Sequence, residues 1–176
     1  MMKYFLFLLL ILFSTITQVS CQTRTYSGTF KIMNQNSQKL LDVAGASLED
    51  YAPINQFQSN GGLNQRWYLY LEGSPLRHTY SLISAKSGKA MDNPGSSKQS
   101  GMQMQQFTYH GGDNQLFEII YAGDGSSYIK NVASGLYLDI EGASKENGAR
   151  VNQYKFNGGS NQRFYFVPFN FFPNPP

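Results

Sequence analysis

The chain has 176 residues, with 14 basic and 11 acidic side chains, and is 14% charged but 15% aromatic. A formal charge of +3, evenly spread, excludes the basic patches that nucleic acid or a phosphate-rich surface would need. The single cysteine excludes an intramolecular disulfide, and the abundance of Asn, Gln, Ser and Gly suits neutral, hydroxyl-rich ligands.

In chain order, residues 1–21 read as a secretory signal peptide. Met1-Met2-Lys3 is a short positive start, the apolar run from Tyr4 to Phe13 is too short to span a bilayer, and a polar, small-residue stretch follows. Cleavage after Cys21 puts Val19 and Cys21 at the recognised positions, whereas cleavage after Ser20 puts Gln18 there. The mature chain, about 22–176, is expected outside the cell or in the secretory-pathway lumen, with no membrane span. Without Lys3 it carries 13 basic and 11 acidic residues, a net charge near +2. It is long enough for one domain with a core.

Three repeats follow, at about 27–72, 77–122 and 126–168. Each opens on a β-type segment (29–32, 80–83, 127–130) followed by turn residues. A second strand runs into an Asp, a third surrounds an apolar residue twelve positions on, and a fourth begins near 66, 116 and 163. No stretch has sustained helical spacing. Twelve short strands predict an all-β fold closed into a barrel, since a three-unit solenoid would leave both ends uncapped. The end of the chain, 170–176, holds three prolines and cannot continue a ladder.

With Asp42, Asp92 and Asp139 as position zero, the copies align without gaps through position +25. Gly occupies +3 and Ser +5; Ile54, Met104 and Val151 stand at +12. The amides Asn55, Gln105 and Asn152 follow at +13, and the rings Phe57, Phe107 and Tyr154 at +15. A Gly-Gly pair precedes Asn64-Gln65, Asn114-Gln115 and Asn161-Gln162, and Trp67, Phe117 and Phe164 end the pattern. Such self-similarity marks a repeat architecture.

The segments Asn-Gln-Arg-Trp (64–67), Asn-Gln-Leu-Phe (114–117) and Asn-Gln-Arg-Phe (161–164) resemble the Gln-x-Trp signature of ricin B-type lectins. With the preceding Asp and Gly-Gly segments, the resemblance covers nearly all of 27–168. It implies a β-trefoil of three pseudo-symmetric four-stranded repeats, each able to hold one sugar of the galactose or N-acetylgalactosamine type. The signature Trp is kept only at Trp67. The cysteine pair of many members is replaced by Leu40/Ser59, Ala90/Tyr109 and Tyr137/Phe156, the last two expected to hold their hairpins by side-chain contact.

The chemistry agrees with the resemblance. A carboxylate can accept from two vicinal hydroxyls in charge-assisted bonds, the part given to Asp42, Asp92 and Asp139. Amides both donate and accept, which suits Asn64, Asn114 and Asn161, with Asn55, Gln105 and Asn152 completing the pocket. Phe57, Phe107 and Tyr154 would stack on the C–H face of a pyranose. Gln65, Gln115 and Gln162 are read as hairpin ties first and sugar contacts second. The residues at +12 and +25 belong to the core. In copy two, Pro94 and His110 stand where the others differ.

Nothing points to catalysis: His78 and His110 have no nucleophile motif beside them, no metal-ligand spacing occurs, no cofactor is implied, and each copy has one Asp where glycoside hydrolysis needs paired carboxylates. The competing reading is a protein-binding trefoil such as a protease inhibitor. Such a protein has no need of Asp, ring and Asn at equal offsets three times. The expected partners are glycans or glycoconjugates; oligomeric state is left open.

Overall fold

Short alternating segments divided by glycine-rich turns form twelve strands and no α-helix among residues 24–73 and 78–169, which the computed structural model describes. The expected signal peptide and the proline-rich end lie outside those residues. Copy one contributes β1 (Arg24–Asn34), β2 (Leu40–Val43), β3 (Ile54–Phe57) and β4 (Trp67–Glu72). Copy two contributes β5 (Thr79–Ser84), β6 (Ala90–Asp92), β7 (Gln105–Phe107) and β8 (Phe117–Tyr121). Copy three contributes β9 (Ser127–Asn131), β10 (Tyr137–Ile140), β11 (Val151–Tyr154) and β12 (Phe164–Pro168).

The first and fourth strands of each copy close a ring: β1 pairs β4, β4 pairs β5, β5 pairs β8, β8 pairs β9, β9 pairs β12, and β12 returns to β1. Closure removes the open edges that would otherwise invite aggregation. The second and third strands form three hairpins, β2–β3, β6–β7 and β10–β11. This is the closed barrel expected from the repeats and the β-trefoil that the resemblance implies. Trp67, Phe117 and Phe164 are fully buried in the core with Ile54, Met104 and Val151, as their shared positions predict.

A second threefold set packs the copies against one another. The buried Gln56, Gln106 and Gln153, one residue past each +13 amide, reach into the preceding loop around the ring. Gln56 Nε2 donates to the carbonyls of Ser144 and Glu146, both at 2.9 Å. Gln106 Nε2 donates to those of Ser47 and Glu49, and Gln153 Nε2 to those of Ser97 and Gln99. Each amide thus satisfies two loop carbonyls that no ladder pairs.

Where a disulfide is replaced, Tyr137 and Phe156 do pack, with ring centroids 4.9 Å apart. Tyr109 gives its hydroxyl to the buried Glu72, which also accepts from Ser81. Burial, reinforced by that carboxylate, pushes the Tyr109 phenol up to about 12. The Arg24 guanidinium lies 4.5 Å from the Tyr109 ring centroid and 3.8 Å from that of Tyr70, tying the first strand to copy two.

Candidate functional site

Strand register decides which side chains meet. In β2–β3, Asp42 lies opposite Asn55 and Leu40 opposite Phe57. The period of two therefore puts Asp42, Asn55 and Phe57 on one face, while Leu41, Val43, Ile54 and Gln56 turn to the core, all fully buried. The same register places Asp92 with Gln105 and Phe107, and Asp139 with Asn152 and Tyr154.

The Gly-Gly turn brings the Asn back to the Asp. Gly61, Gly111 and Gly158 take φ of 77°, 73° and 71°, a region that glycine enters without strain. The second glycine has ordinary backbone angles and is needed for space: a Cβ on Gly62 would collide with Asn64 Oδ1, and one on Gly159 with Asn161 Oδ1. Asn64 Nδ2 then donates to Asp42 Oδ2 at 2.9 Å, Asn114 to Asp92 at 2.8 Å, and Asn161 to Asp139 at 2.9 Å.

The same amide nitrogens also donate to the carbonyls of Val43, Asn93 and Ile140. Both N–H groups of each Asn are thereby committed. The expectation that these amides both donate to and accept from a ligand is corrected: they offer only Oδ1. Among the described residues, nothing donates to the free Oδ1 of Asp42 or Asp139. These two hollows present converging acceptors, fit for the hydroxyl donors of a ligand.

A second correction concerns Gln65, Gln115 and Gln162. All three are fully buried, and none lines a hollow. Gln65 Nε2 donates to Asp42 Oδ2 and the Gln58 carbonyl, while its Oε1 accepts from Asn60 N. Gln115 and Gln162 repeat this arrangement on Asp92 and Asp139. With every polar atom engaged, these residues aim the carboxylate, the tie expected first, and keep no free group for the sugar contact expected second.

The remaining predicted residues meet in three surface hollows. Site one joins Asp42, Asn55, Phe57 and Asn64; site three joins Asp139, Asn152, Tyr154 and Asn161; their cavity volumes are about 410 and 390 Å³. Site two joins Asp92, Gln105, Phe107 and Asn114 around about 300 Å³. Phe57 and Tyr154 are 37% and 45% exposed, open enough to stack on a ligand. Each hollow is finished by one residue of the preceding copy around the ring: Gly148 at site one, Tyr51 at site two, Gly101 at site three. These stand at one common offset from the Asp, +9, a signal present in the sequence and not used in reading it.

Burial holds the Asp42 and Asp139 carboxyls above their ordinary value of 3.8, against the opposing pull of the Gln and Asn hydrogen bonds; Glu141 adds a smaller upward push at Asp139. Ligand affinity that needs the ionised form is complete above the raised pKa and is lost as pH falls through it. Protonating these two groups does not destabilise the fold, because a raised folded-state pKa means that the folded chain holds the proton more tightly than the unfolded one. Calorimetric titration with sugar between pH 7 and about 4, followed alongside circular dichroism, is expected to show sites one and three weakening while the strand signal persists.

Among the described residues, no group of three or more His, Cys, Asp or Glu is placed to hold a metal ion. No described helix is long and apolar enough to cross a membrane.

Comparison with known proteins gives the same architecture. The family described as ricin-type beta-trefoil lectin domain-like matches residues 17–107, 63–154 and 113–171. A designed three-fold symmetric protein, ThreeFoil, is 38% identical over 81% of this chain and 99% of its own, with a TM-score of 0.77. An exo-beta-1,3-galactanase from Clostridium thermocellum is 34% identical over 81% of this chain but only 30% of that one, with a TM-score of 0.77. A ricin B-like lectin from Macrolepiota procera, in complex with lactose, shares the fold at 20% identity, covering 80% of this chain and 95% of its own, with a TM-score of 0.65. No curated protein matches by sequence. With three overlapping matches spanning the repeats and the barrel closed as a trefoil, the chain belongs to the ricin-type beta-trefoil lectin domain-like family.

Proposed function

We propose that this protein is a secreted, non-catalytic lectin that binds galactose- or N-acetylgalactosamine-type sugars at up to three sites and acts by multivalent attachment to glycans. One observation carries the reading: an aimed carboxylate, an amide oxygen and a ring share one hollow in every copy. The galactose preference draws support from the lactose bound by the Macrolepiota lectin and from the galactanase among the similar structures. Sites one and two have a single carboxylate on the hollow, short of the pair that glycoside hydrolysis uses. Secretion rests on the character of residues 1–21.

One shallow site is expected to bind a monosaccharide with Kd on the order of 1 mM, about −4 kcal/mol. Clustered glycans reaching several sites gain avidity without new contacts. The test is a panel of immobilised glycans beside a panel of proteases. Retention on galactose-terminated glycans, competed by free galactose, is the expected result. Protease inhibition with no glycan retained would overturn the proposal.

A further inference from the structure

Three differences around the carboxylate and the ring set site two apart from its two counterparts, all on the hollow itself. Its +13 amide is the longer Gln105, whose Nε2 donates to Asp92 Oδ1 at 3.0 Å, so the second carboxylate oxygen, free at sites one and three, is already engaged. His110 replaces Asn60 and Asn157. Its Nδ1 accepts from Gly112 N at 3.1 Å, as the Asn Oδ1 atoms do from Gly62 and Gly159, and its ring meets Phe107 edge-on, centroids 6.2 Å apart. The residue lent by the preceding copy is Tyr51, where the others receive Gly148 and Gly101.

Tyr51 is held in place against its own preference. It takes φ of 69°, beside 81° at Gly148 and 86° at Gly101, and a bulky residue there is an outlier. The loop is pinned by Gln106 Nε2 on the Ser47 and Glu49 carbonyls, by Tyr51 N on the Gln106 carbonyl at 2.9 Å, and by Asp50, which accepts from Thr108 N at 2.7 Å and pairs with Lys89. Nothing in the scaffold requires the ring, since two glycines serve the same turn elsewhere. The Tyr51 side chain stands 69% exposed, its centroid 5.1 Å from that of Phe107 at an angle of 57°. The two rings form an open corner at the rim, and the hollow behind them is the smallest of the three. The extra ring therefore extends apolar surface outward from a pocket that has given up polar grip.

Resting on the lectin reading, we infer that site two is an extended subsite: it takes a sugar on Phe107 together with a second apolar ring face linked to that sugar, which lies on Tyr51, whereas sites one and three take the single sugar. The second face is supplied by the next sugar of a glycan or by an aryl aglycone.

Methyl β-galactoside, phenyl β-galactoside and lactose, titrated into the labelled protein with the Asn64, Asn114 and Asn161 side-chain amide signals read separately, test this. Site two is expected to bind lactose, phenyl galactoside or both about tenfold more tightly than methyl galactoside, while sites one and three show no such gain. A gain confined to phenyl galactoside assigns the second face to an aglycone, and a gain with lactose assigns it to the next sugar. Tyr51→Gly should abolish the gain at site two, so that lactose and phenyl galactoside bind there no more tightly than methyl galactoside, and leave the affinities of sites one and three unchanged. Gly101→Tyr should confer the gain on site three. If Tyr51→Gly leaves lactose and phenyl galactoside unchanged or tightens them at site two, the ring is a cover and the inference falls. Absence of any sugar response at all three amides would instead sink the lectin reading itself.

Discussion

Changing Asp42 or Asp139 to Asn, one at a time, is expected to silence one hollow per substitution and leave the barrel folded. Each Asp has a structural oxygen: Oδ2 of Asp42 accepts from both Asn64 and Gln65, which are buried. The amide oxygen of an introduced Asn can still accept both bonds, so no buried donor is orphaned. What is lost is the charge that strengthens acceptance from ligand hydroxyls. Hydrogen bonds to charged groups contribute about 1.5–3 kcal/mol each, so weakening two of them should cut sugar affinity at that site by about a hundredfold. Asp→Ala would conflate two effects, because two stranded amides cost about 2–6 kcal/mol of stability as well. Isothermal titration with a galactoside, paired with urea denaturation, separates the two series. An Asn variant that keeps its sugar affinity would show that the carboxylate does not contact the ligand.

Trp67→Ala should be the most damaging core substitution, costing about 3–5 kcal/mol of a total stability of roughly 5–15 kcal/mol. The indole is fully buried and its Nε1 donates to the Leu41 carbonyl at 3.2 Å, so truncation leaves both a cavity and an orphaned acceptor. Trp67→Phe should be far milder, about 1–2 kcal/mol, because Phe117 and Phe164 already fill the equivalent position in the other copies. Denaturant midpoints of the two variants check this ordering; equal losses would mean that the hydrogen bond, and not the volume, dominates.

Much of this was legible because the three copies repeat each motif in register. Offsets from Asp42, Asp92 and Asp139 located the buried rings, the hairpin strands and the hollow-lining residues. The Gly-Gly pairs are visible in the sequence, but the reason for Gly62 and Gly159, room for the Asn oxygen, is a contact that only the folded chain displays. Gln56, Gln106 and Gln153 repeat faithfully and went unread, since their partners lie in another copy, 88 to 90 residues away for Gln56. The standing of Gln65, Gln115 and Gln162, read as hairpin ties first and sugar contacts second, turned on a related point. A glutamine beside an aspartate can aim it or share its ligand, and burial decides between the two. Tyr51 was invisible as a site residue because the repeat that encodes it is not the repeat it serves.

That borrowing makes the number of copies a matter of function as well as of packing. Shortened to its first two repeats, the chain could finish only the second hollow, because the first awaits a loop from the third copy and the third would not exist. Single-repeat chains associating head to tail about the axis would restore all three. A chain of one repeat would complete its hollow only as a trimer, whereas three copies in one polypeptide let each hollow differ from the others, as the second does.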